Sequence, residues 1–344
     1  MGKVKKIDIA NALGISRNTV AKALSDKGAV AYRTRVDVIK KAVEMGYEKL
    51  EPEIISKYNV PLDDNQKEKT ILIINRKDIS AFWNRIIVGI NDALAKEGYS
   101  VKLVFVNEED EDHWEISQAE HICGLLVLSV YSDTFIEAYL NLNKPIVFFD
   151  MSIKNSVESA MGDVVLSEGL YSVMKIVEHL VAQGVKKIGF IGDTTYYRTI
   201  RERYDGFVFG LKSAGIEPDK SIIVKEHNAE RYYDKPCVEA ALASFGYIPE
   251  AIVCANDSIA LYLIQCLKDR ELRVPQDVIV TGFDNLESLI EQLTPFLTTI
   301  NIHHYELGKR LVNQIFWRIK NPDAQKEIVM IMGEMMIRDS SIRS

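Results

Sequence analysis

The sequence predicts an α/β protein in which a small helical head precedes a body of two lobes, each a doubly wound parallel sheet. Three observations support this prediction. Apolar residues in the first 50 positions follow helical spacing, and this region carries an excess of positive charge. From Thr70 onward, short β-rich runs alternate with amphipathic segments, as in parallel sheets covered by helices. These units are too many for one sheet in about 270 residues, so two lobes are expected.

The composition is that of a globular protein with a large core. The chain has 344 residues, of which 47% are hydrophobic and 26% charged. No apolar run approaches the ~18 residues of a transmembrane helix, and the N-terminus lacks the apolar block of a secretory signal. We therefore expect a cytoplasmic protein without membrane association. The four cysteines are far apart, which favours reduced thiols over a disulfide framework or a thiolate zinc site.

Charge is distributed unevenly along the chain. Residues 1–50 contain eleven Lys and Arg but five Asp and Glu, a difference of +6. Because the whole chain carries −7, the other 294 residues sum to −13. This asymmetry indicates a module that binds a polyanion, joined to a body that does not.

The head has the sequence pattern of a helix–turn–helix unit. Ile9, Ala10 and Leu13 give a first helix its apolar face, and Gly14 supplies a tight turn. Ser16 is a good N-cap for a second helix that ends near Leu24, and a third helix is expected over 33–45. This order of elements is found in modules that place the second helix in the DNA major groove.

The face of the second helix opposite its apolar residues carries side chains of the types that can bond DNA bases. Arg17 and Lys22 can donate to guanine, and Asn18 can bond adenine through two atoms. Ser16 and Thr19 lie at the helix start, where hydroxyls and backbone N–H groups suit a phosphate. From the pattern alone, a three-helix bundle with a solvated basic face remains the alternative.

The string KIDIANALGISRNTVAKALSDKGAVAYRTRVDVIKKAVEMGY resembles the DNA-binding head of the LacI/GalR family of bacterial regulators. The resemblance implies that Arg17, Asn18 and Lys22 are base-reading residues and that Ser16, Thr19 and Thr34 belong to the same DNA-binding surface. It also implies a dimer on a palindromic operator. Residues 1–49 would form this domain. Lys22 stands where the family usually has Arg, and its ammonium lacks the rigid fork of a guanidinium.

Residues 50–69 form a charged linker that contains two prolines. In the family, a short hinge helix here ends near a Leu that enters the minor groove. In this chain Ser56 stands at the expected Leu position, so the apolar candidates for that wedge are Ile54 and Ile55. A shifted hinge helix and an unstructured tether are both compatible with the sequence.

In the body, polar and aromatic side chains follow the predicted strands. The strands are expected at 71–74, 101–106, 124–130, 145–149, 187–192, 221–225, 251–255 and 277–282. Amphipathic helical segments are expected at 83–97, 132–142, 168–183, 202–214, 235–245, 258–270 and 304–319. Ligands bind at the carboxyl ends of such strands. The candidate ligand contacts there are Phe82, Trp83, Asp150, Arg203, Asn256 and Asp284, with Arg203 expected to open its helix.

Carboxylates, Asn and Arg beside aromatic rings suit a neutral ligand with many hydroxyls. Each residue alone is better explained by a capping or loop role, and Asp257 in particular is expected to cap the helix that follows it. The convergence of several polar groups from separate strand ends favours a pocket.

The body, residues 70–344, also resembles the effector domain of the LacI/GalR family, which has a periplasmic-binding-protein-like fold. The matching strings are IVFFD, RERYDGF, CANDSIAL, RVPQDVIVTGFDN, LTTI and MIRDSS. The resemblance implies effector contacts at Asp150, Arg203, Asn256 and Asp284, with Phe82 and Trp83 as stacking candidates. It favours a sugar over a purine, a nucleoside or a phosphorylated metabolite.

Enzyme and metal motifs are not found. No phosphate-binding loop, G-x-S-x-G or H-E-x-x-H occurs, and the adjacent His303 and His304 cannot both face one point on a helix. We therefore expect a non-enzymatic repressor without cofactor or metal that binds operator DNA and a small effector. A cytoplasmic solute-binding protein and a sugar-processing enzyme with a DNA-binding head are weaker alternatives.

Overall fold

A computed structural model describes residues 4–25, 30–47, 50, 69–76, 81–106, 122–129, 142–151, 162–225, 234–286 and 296–343. Most of the predicted linker, with Ile54 and Ile55, and nearly all of the helix predicted at 132–142 lie outside these ranges. The chain divides into two compact units. The first comprises Met1–Thr70 with His121–Cys123, and the second comprises Ile71–Glu120 with Gly124–Ser344.

The first unit contains the three predicted helices: α1 (Lys6–Leu13), α2 (Arg17–Leu24) and α3 (Tyr32–Glu44). Gly14 ends α1 with φ 65°, a left-handed conformation that glycine adopts without strain. Ser16 caps α2, as predicted, by accepting a hydrogen bond from the backbone N–H of Thr19 at 3.1 Å. The apolar faces of the three helices form one core that includes Ile9, Val20 and Ile39.

Within the second unit, lobe 1 is built on a six-stranded sheet of order β11–β5–β4–β3–β1–β2. Its elements are β1 (Thr70–Arg76), α4 (Ala81–Lys96), β2 (Ser100–Val106), β3 (Gly124–Leu128), β4 (Ile146–Phe149), β5 (Asp163–Ser167), α9 (His304–Lys320) and β11 (Ile328–Ile331). The pairs β1–β3, β3–β4, β4–β5 and β5–β11 are parallel. Helices α4 and α9 pack closely, since a Cβ at Gly89 would collide with the Tyr305 carbonyl.

Lobe 2 is built on a parallel four-stranded sheet of order β7–β6–β8–β9. Its elements are α5 (Leu170–Ala182), β6 (Ile188–Ile191), α6 (Arg198–Ser213), β7 (Ile223–Val224), α7 (Lys235–Ala243), β8 (Ala251–Cys254), α8 (Asp257–Asp269) and β9 (Ile279–Thr281). A 3₁₀ turn, Lys220–Ile222, occupies the first part of the strand predicted at 221–225. The predicted fold class, a helix–turn–helix head with two doubly wound parallel sheets, is confirmed.

The chain crosses between the lobes three times, after β5, after β10 (Thr299–Asn301) and between β11 and β12 (Glu334–Met336). Strands β10 and β12 pair in antiparallel fashion, so two of the crossing segments are bonded to each other. The sequence reasoning missed β5, β10, β11 and β12. Three of them are three or four residues long, too short for a period to be recognised.

Candidate functional site

In the head, the residues predicted to read DNA bases lie on α2. Arg17, Asn18 and Lys22 are exposed on α2, while Val20, Ala23 and Leu24 on the opposite side are buried. The three side chains predicted to read DNA bases are therefore exposed on one face of the helix.

Three hydroxyl side chains accompany this face. The hydroxyls of Ser16 and Thr19 lie 2.9 Å apart, and the Ser16 oxygen also caps the helix. Thr34 is half-buried near the start of α3. Ser16 is therefore engaged in holding the start of the helix, where its oxygen satisfies the Thr19 N–H.

A cavity of about 280 Å³ lies between the two lobes of the second unit. It is bounded by the ends of strands from both lobes, which is where ligands bind in doubly wound sheets. The structure brings all six predicted pocket residues to its lining: Phe82, Trp83, Asp150, Arg203, Asn256 and Asp284.

Arg203 is the buried cation of this cavity. Its guanidinium donates hydrogen bonds to the Ala255 carbonyl at 2.6 Å and to Asp284 Oδ1 at 3.0 Å. The guanidinium carbon lies 3.7 Å from the centre of the Phe283 ring. The buried Nε has no hydrogen-bond partner among the described residues. Arg203 is thus held in place on one side and retains a donor.

The expectation that Arg203 opens its helix is wrong. Helix α6 begins at Arg198, so Arg203 lies in its second turn. Thr199 precedes it by four residues and shares the same helix face, which also lines the cavity. A predicted helix that begins at Arg198 would have placed Thr199 on the same face as Arg203 and so identified it as a site residue.

Asp284 sits in a backbone conformation that an L-residue rarely adopts, with φ 103°. Its backbone N–H donates to the Ile300 carbonyl at 2.9 Å, which fixes this conformation at the second lobe crossing. Burial raises the pKa of Asp284 to about 6, while the charge of Arg203 opposes the shift and that of Asp150 adds to it. The Arg203 guanidinium therefore offsets part of the cost of ionising Asp284 in this buried position.

Asp150 lines the cavity, as predicted, and also connects the two lobes. It follows β4 in lobe 1, and its carboxylate accepts hydrogen bonds from the Met151 N–H at 2.8 Å and from the Thr199 hydroxyl. The Thr199 N–H lies 3.4 Å away in lobe 2. Burial raises the pKa of Asp150, against these hydrogen bonds and the charge of Arg203. Asp150 is both a lining residue and a bond between the lobes.

Asn256, and not Asp257, caps helix α8. The Asn256 side chain accepts from the Ile259 N–H at 2.9 Å, which corrects the expectation that Asp257 would do so. Asp257 instead accepts from the Thr299 hydroxyl at 2.6 Å and from the Leu286 N–H at 2.9 Å. Burial raises the pKa of Asp257 to about 7, and the charge of Asp284 adds to this shift. Asp257 therefore stabilises the segment that carries Asp284.

Aromatic rings form the lobe 1 side of the cavity. The rings of Phe82 and Trp83 meet edge to face at 4.8 Å, and Phe82 stacks on Phe149 at 6.2 Å. His304 packs edge to face on Phe82 at 5.0 Å. This aromatic wall, Phe82, Trp83 and Phe149, offers an apolar surface to the cavity that Arg203 and Asp284 also line.

Several lining residues were missed by the sequence reasoning. Phe149, Tyr197, Thr199 and Tyr262 all border the cavity. Tyr262 lies four residues after Ser258 on α8, and both line the cavity, so helical spacing was the available signal.

Among the residues that the structure describes, no group of three or more His, Cys, Asp or Glu side chains is arranged to hold a metal ion. No helix among them is long and apolar enough to span a membrane.

Comparisons with known proteins agree with this fold. A family model described as a periplasmic binding protein-like domain matches residues 177–341. The HTH-type transcriptional repressor PurR of Mannheimia succiniciproducens is 28% identical over 338 residues, covering 97% of each chain. A transcriptional regulator CelR–cellobiose complex has a TM-score of 0.70 at 20% identity, covering 98% of this chain and 100% of that one. The lac repressor dimer bound to operator and the anti-inducer ONPF also has a TM-score of 0.70 at 20% identity, covering 99% and 100%.

Proposed function

The chain belongs to the LacI/GalR family of bacterial transcriptional regulators, and from this premise we propose that it is a ligand-responsive repressor. It binds a palindromic operator as a homodimer in the cytoplasm and performs no catalysis. Residues 1–49 form the DNA-binding domain, 50–69 the linker and 70–344 the effector-binding and dimerisation domain.

The effector is a neutral sugar or polyol. The observation that carries this proposal is the Arg203–Asp284 pair, 3.0 Å apart, beside a wall of aromatic rings. The Arg203 guanidinium donates to one sugar oxygen, and Asp284 accepts from a neighbouring hydroxyl. The aromatic wall covers the C–H face of the sugar ring.

Charge balance disfavours a phosphorylated effector. Asp150 and Asp284 are two buried carboxylates in the lining, and Arg203 is the one buried cation among the described lining residues. A phosphate in this cavity would meet more negative than positive charge, whereas a neutral sugar bridges the carboxylates and the guanidinium through its hydroxyls.

Effector binding is coupled to operator binding through the arrangement of the lobes. Asp150 of lobe 1 bonds Thr199 on α6, and α6 also carries Arg203. A ligand that bridges Arg203 and the aromatic wall favours one arrangement of the lobes over another, and that difference changes operator affinity.

At the operator, Arg17, Asn18 and Lys22 read base edges, while Ser16, Thr19 and Thr34 contact the sugar–phosphate backbone. Ile54 or Ile55 enters the minor groove if a hinge helix forms, and the linker is a tether if it does not.

The second candidate effector is a purine or nucleoside. The aromatic wall favours it, because a planar base can stack on the Phe82 ring while Asp284 and Asn256 bond its edge. This candidate leaves the repressor function unchanged and differs in the class of small molecule.

A calorimetric titration of matched pairs tests the effector class. D-Glucose is compared with glucose 6-phosphate, D-ribose with ribose 5-phosphate, cellobiose is added, and hypoxanthine and guanosine represent purines. We expect a neutral sugar to bind and to change the affinity for operator DNA without being converted. Tighter binding of a sugar phosphate than of its parent sugar would contradict the neutral-ligand proposal, and turnover of any compound would contradict the assignment as a repressor.

A further inference from the structure

Strand β11 is the outermost strand of the lobe 1 sheet. Among the described residues, no strand pairs with the side of β11 that faces away from β5. Natural sheets usually protect such an edge with charged side chains, prolines or bulges, because its unpaired N–H and C=O groups can bind another strand. The sequence of β11, IVMI, contains no charged residue and no proline. The β11 edge is therefore open to pairing.

The side chains along this edge alternate in exposure from residue 326 to residue 334. Every even-numbered residue of this run is exposed and every odd-numbered one is half-buried, as in one extended segment. Ile328, Met330 and Met332 are 37%, 45% and 55% exposed, so they form a continuous apolar surface. Lys326 precedes them and Glu334 follows them. We call these five exposed side chains the β11 strip.

The backbone of the β11 strip points away from β5. The Glu327 carbonyl accepts from the Val164 N–H at 2.9 Å, and the Ile331 carbonyl accepts from the Glu168 N–H at 2.8 Å. The odd-numbered residues therefore bond β5. Because backbone direction alternates along a strand, the even-numbered residues direct their N–H and C=O groups to the outer edge. Another strand bonds this edge by pairing with the even-numbered residues.

The β11 strip is complementary to itself when two copies run antiparallel. With Met330 opposite the partner's Met330, Ile328 lies opposite the partner's Met332. Lys326 then lies opposite the partner's Glu334, and this charge pair occurs at both ends. Directly opposite side chains project from the same face with their Cβ atoms about 5 Å apart, so each of these pairs is in contact. Shifting the partner by two residues keeps the backbone bonds but leaves a charge opposite an apolar side chain. Charge therefore selects one register.

We propose that the β11 edge is an interface between two copies of this chain, paired antiparallel about a two-fold axis at Met330. The pairing joins two lobe 1 sheets into one continuous sheet, in which the outward N–H and C=O groups of the even-numbered residues bond each other. A two-fold contact uses the same surface on both copies, so it adds one partner and then closes.

This contact is distinct from the homodimer that holds two heads on one operator. Strands β1, β3, β4, β5 and β11 are parallel, and the chain enters lobe 1 from the linker at the start of β1. An antiparallel partner reverses all of these directions, so the two chains enter the joined sheets at opposite ends. The heads of one dimer must instead reach adjacent half-sites. The β11 contact therefore joins two dimers into a tetramer that binds two operators, and to this extent it rests on the proposed function.

An exchange of charges tests the register. The full-length protein is studied by sedimentation without DNA over a range of concentrations, and we expect an equilibrium between dimer and tetramer. Lys326→Glu and Glu334→Lys each place like charges opposite one another at both ends of the strip. Each should weaken tetramer formation about tenfold. The double variant restores opposite charges and should recover most of this loss. Lys212→Glu, exposed on α6, is the control for the change in net charge.

A substitution at the centre of the contact tests its consequence for DNA. Met330→Lys places two ammonium groups opposite each other and should leave only dimers. Its affinity for a single operator should be unchanged, because Met330 is far from the head in the sequence and exposed on lobe 1. The operator is first selected from random DNA with the unsubstituted protein. Immobilised operator should then capture free labelled operator through the unsubstituted protein but not through Met330→Lys.

Three results would overturn the proposal. The unsubstituted protein that remains a dimer at every concentration would leave the β11 edge to another partner. A double charge variant that associates no better than the single variants would contradict the register. Dissociation of Met330→Lys into monomers, with loss of operator binding, would place the operator-binding dimer at β11 and exclude the tetramer. Because sedimentation uses no DNA, failure to select any operator would count against the proposed function and not against this interface.

Discussion

The carboxylate of Asp150 caps a helix that belongs to the other lobe. Tyr197, the residue before α6, provides no side-chain cap, and the Asp150 oxygens instead accept from the hydroxyl and the N–H of Thr199. A carboxylate at a helix N-terminus is also favoured by the helix dipole. The N-terminus of α6 is therefore satisfied only while the two lobes are in contact here.

Replacing Thr199 by Val tests this contact. The substitution keeps the shape of the side chain and removes the hydroxyl donor, so we expect the free energy of unfolding to fall by roughly 1–3 kcal/mol. Urea denaturation measures the loss. Thr195→Val is the matched control, because the Thr195 hydroxyl donates to Asp193 within lobe 2. Only Thr199→Val should alter the response of operator binding to sugar; the same alteration in both variants would show that the bond between the lobes has no special part in coupling.

The charge on Asp284 is expected to hold the effector. Asp284→Asn keeps the size of the side chain and removes the charge, so neutral sugar should bind more weakly by on the order of 1–3 kcal/mol. Operator affinity without sugar should be retained. Asp277→Asn breaks an ion pair with Arg273 that lies outside the cavity and serves as the control. Calorimetry that finds equal sugar affinities in both variants would remove Asp284 from the site.

The buried carboxylates predict how stability depends on pH. The pKa values of Asp257 and Asp284 are raised from 3.8 to about 7 and about 6, so each binds its proton more tightly in the folded chain than in the unfolded one. Between about pH 4 and 7 the folded state holds more protons, and the contribution of these groups to stability falls as pH rises. Asp257→Asn should flatten the decrease in unfolding temperature from pH 5.5 to 8. An unchanged slope would show that Asp257 is already ionised at pH 5.5.

The exposed face of α2 is expected to read the operator. Lys22→Ala and Asn18→Ala should each weaken specific binding by roughly 1–3 kcal/mol and leave non-specific DNA binding nearly unchanged. Lys40→Ala, on the exposed side of α3, is the control. The operator is first selected from random DNA with the unsubstituted protein. Normal binding by both α2 variants with loss in the α3 variant would identify α3 as the recognition helix.

The linker prediction concerns Ile54 and Ile55, which lie outside the described residues. If either isoleucine enters the minor groove, replacing both by Ser should lower operator affinity and reduce the bend of the DNA. Gel mobility of circularly permuted operator fragments measures the bend. Ser56→Ala is the control. Unchanged affinity and bend would leave the linker as a tether.

The residues of the pocket could be predicted because strand ends carry local signals. Arg203 and Asp284 lie in strings that the sequence alone identifies, and the direction of parallel strands brings them to one edge. Thr199 could not be found this way, because its partner Asp150 is 49 residues earlier and belongs to another lobe. That contact exists only in the folded chain.

Distant contacts also explain why Asn256, and not Asp257, caps α8. Both are good capping residues, and their order in the sequence does not decide between them. The choice is made by Thr299 and Leu286, distant groups that occupy the Asp257 carboxylate and leave Asn256 to cap α8. For His304, the sequence supported only the argument against a metal site. Neither the burial of its ring nor the groups around it can be recognised from a sequence.

The order of strands in lobe 1 also determines when this protein can finish folding on the ribosome. Strand β5 is buried on both faces, yet its outer edge pairs with β11, where Ile328 meets Val164 from 164 positions earlier. At about 5–20 residues per second, that edge stays unpaired for on the order of ten seconds or more while lobe 2 is synthesised. An open apolar edge is a template for wrong pairing, so nascent chains of this protein are most exposed to aggregation during that interval.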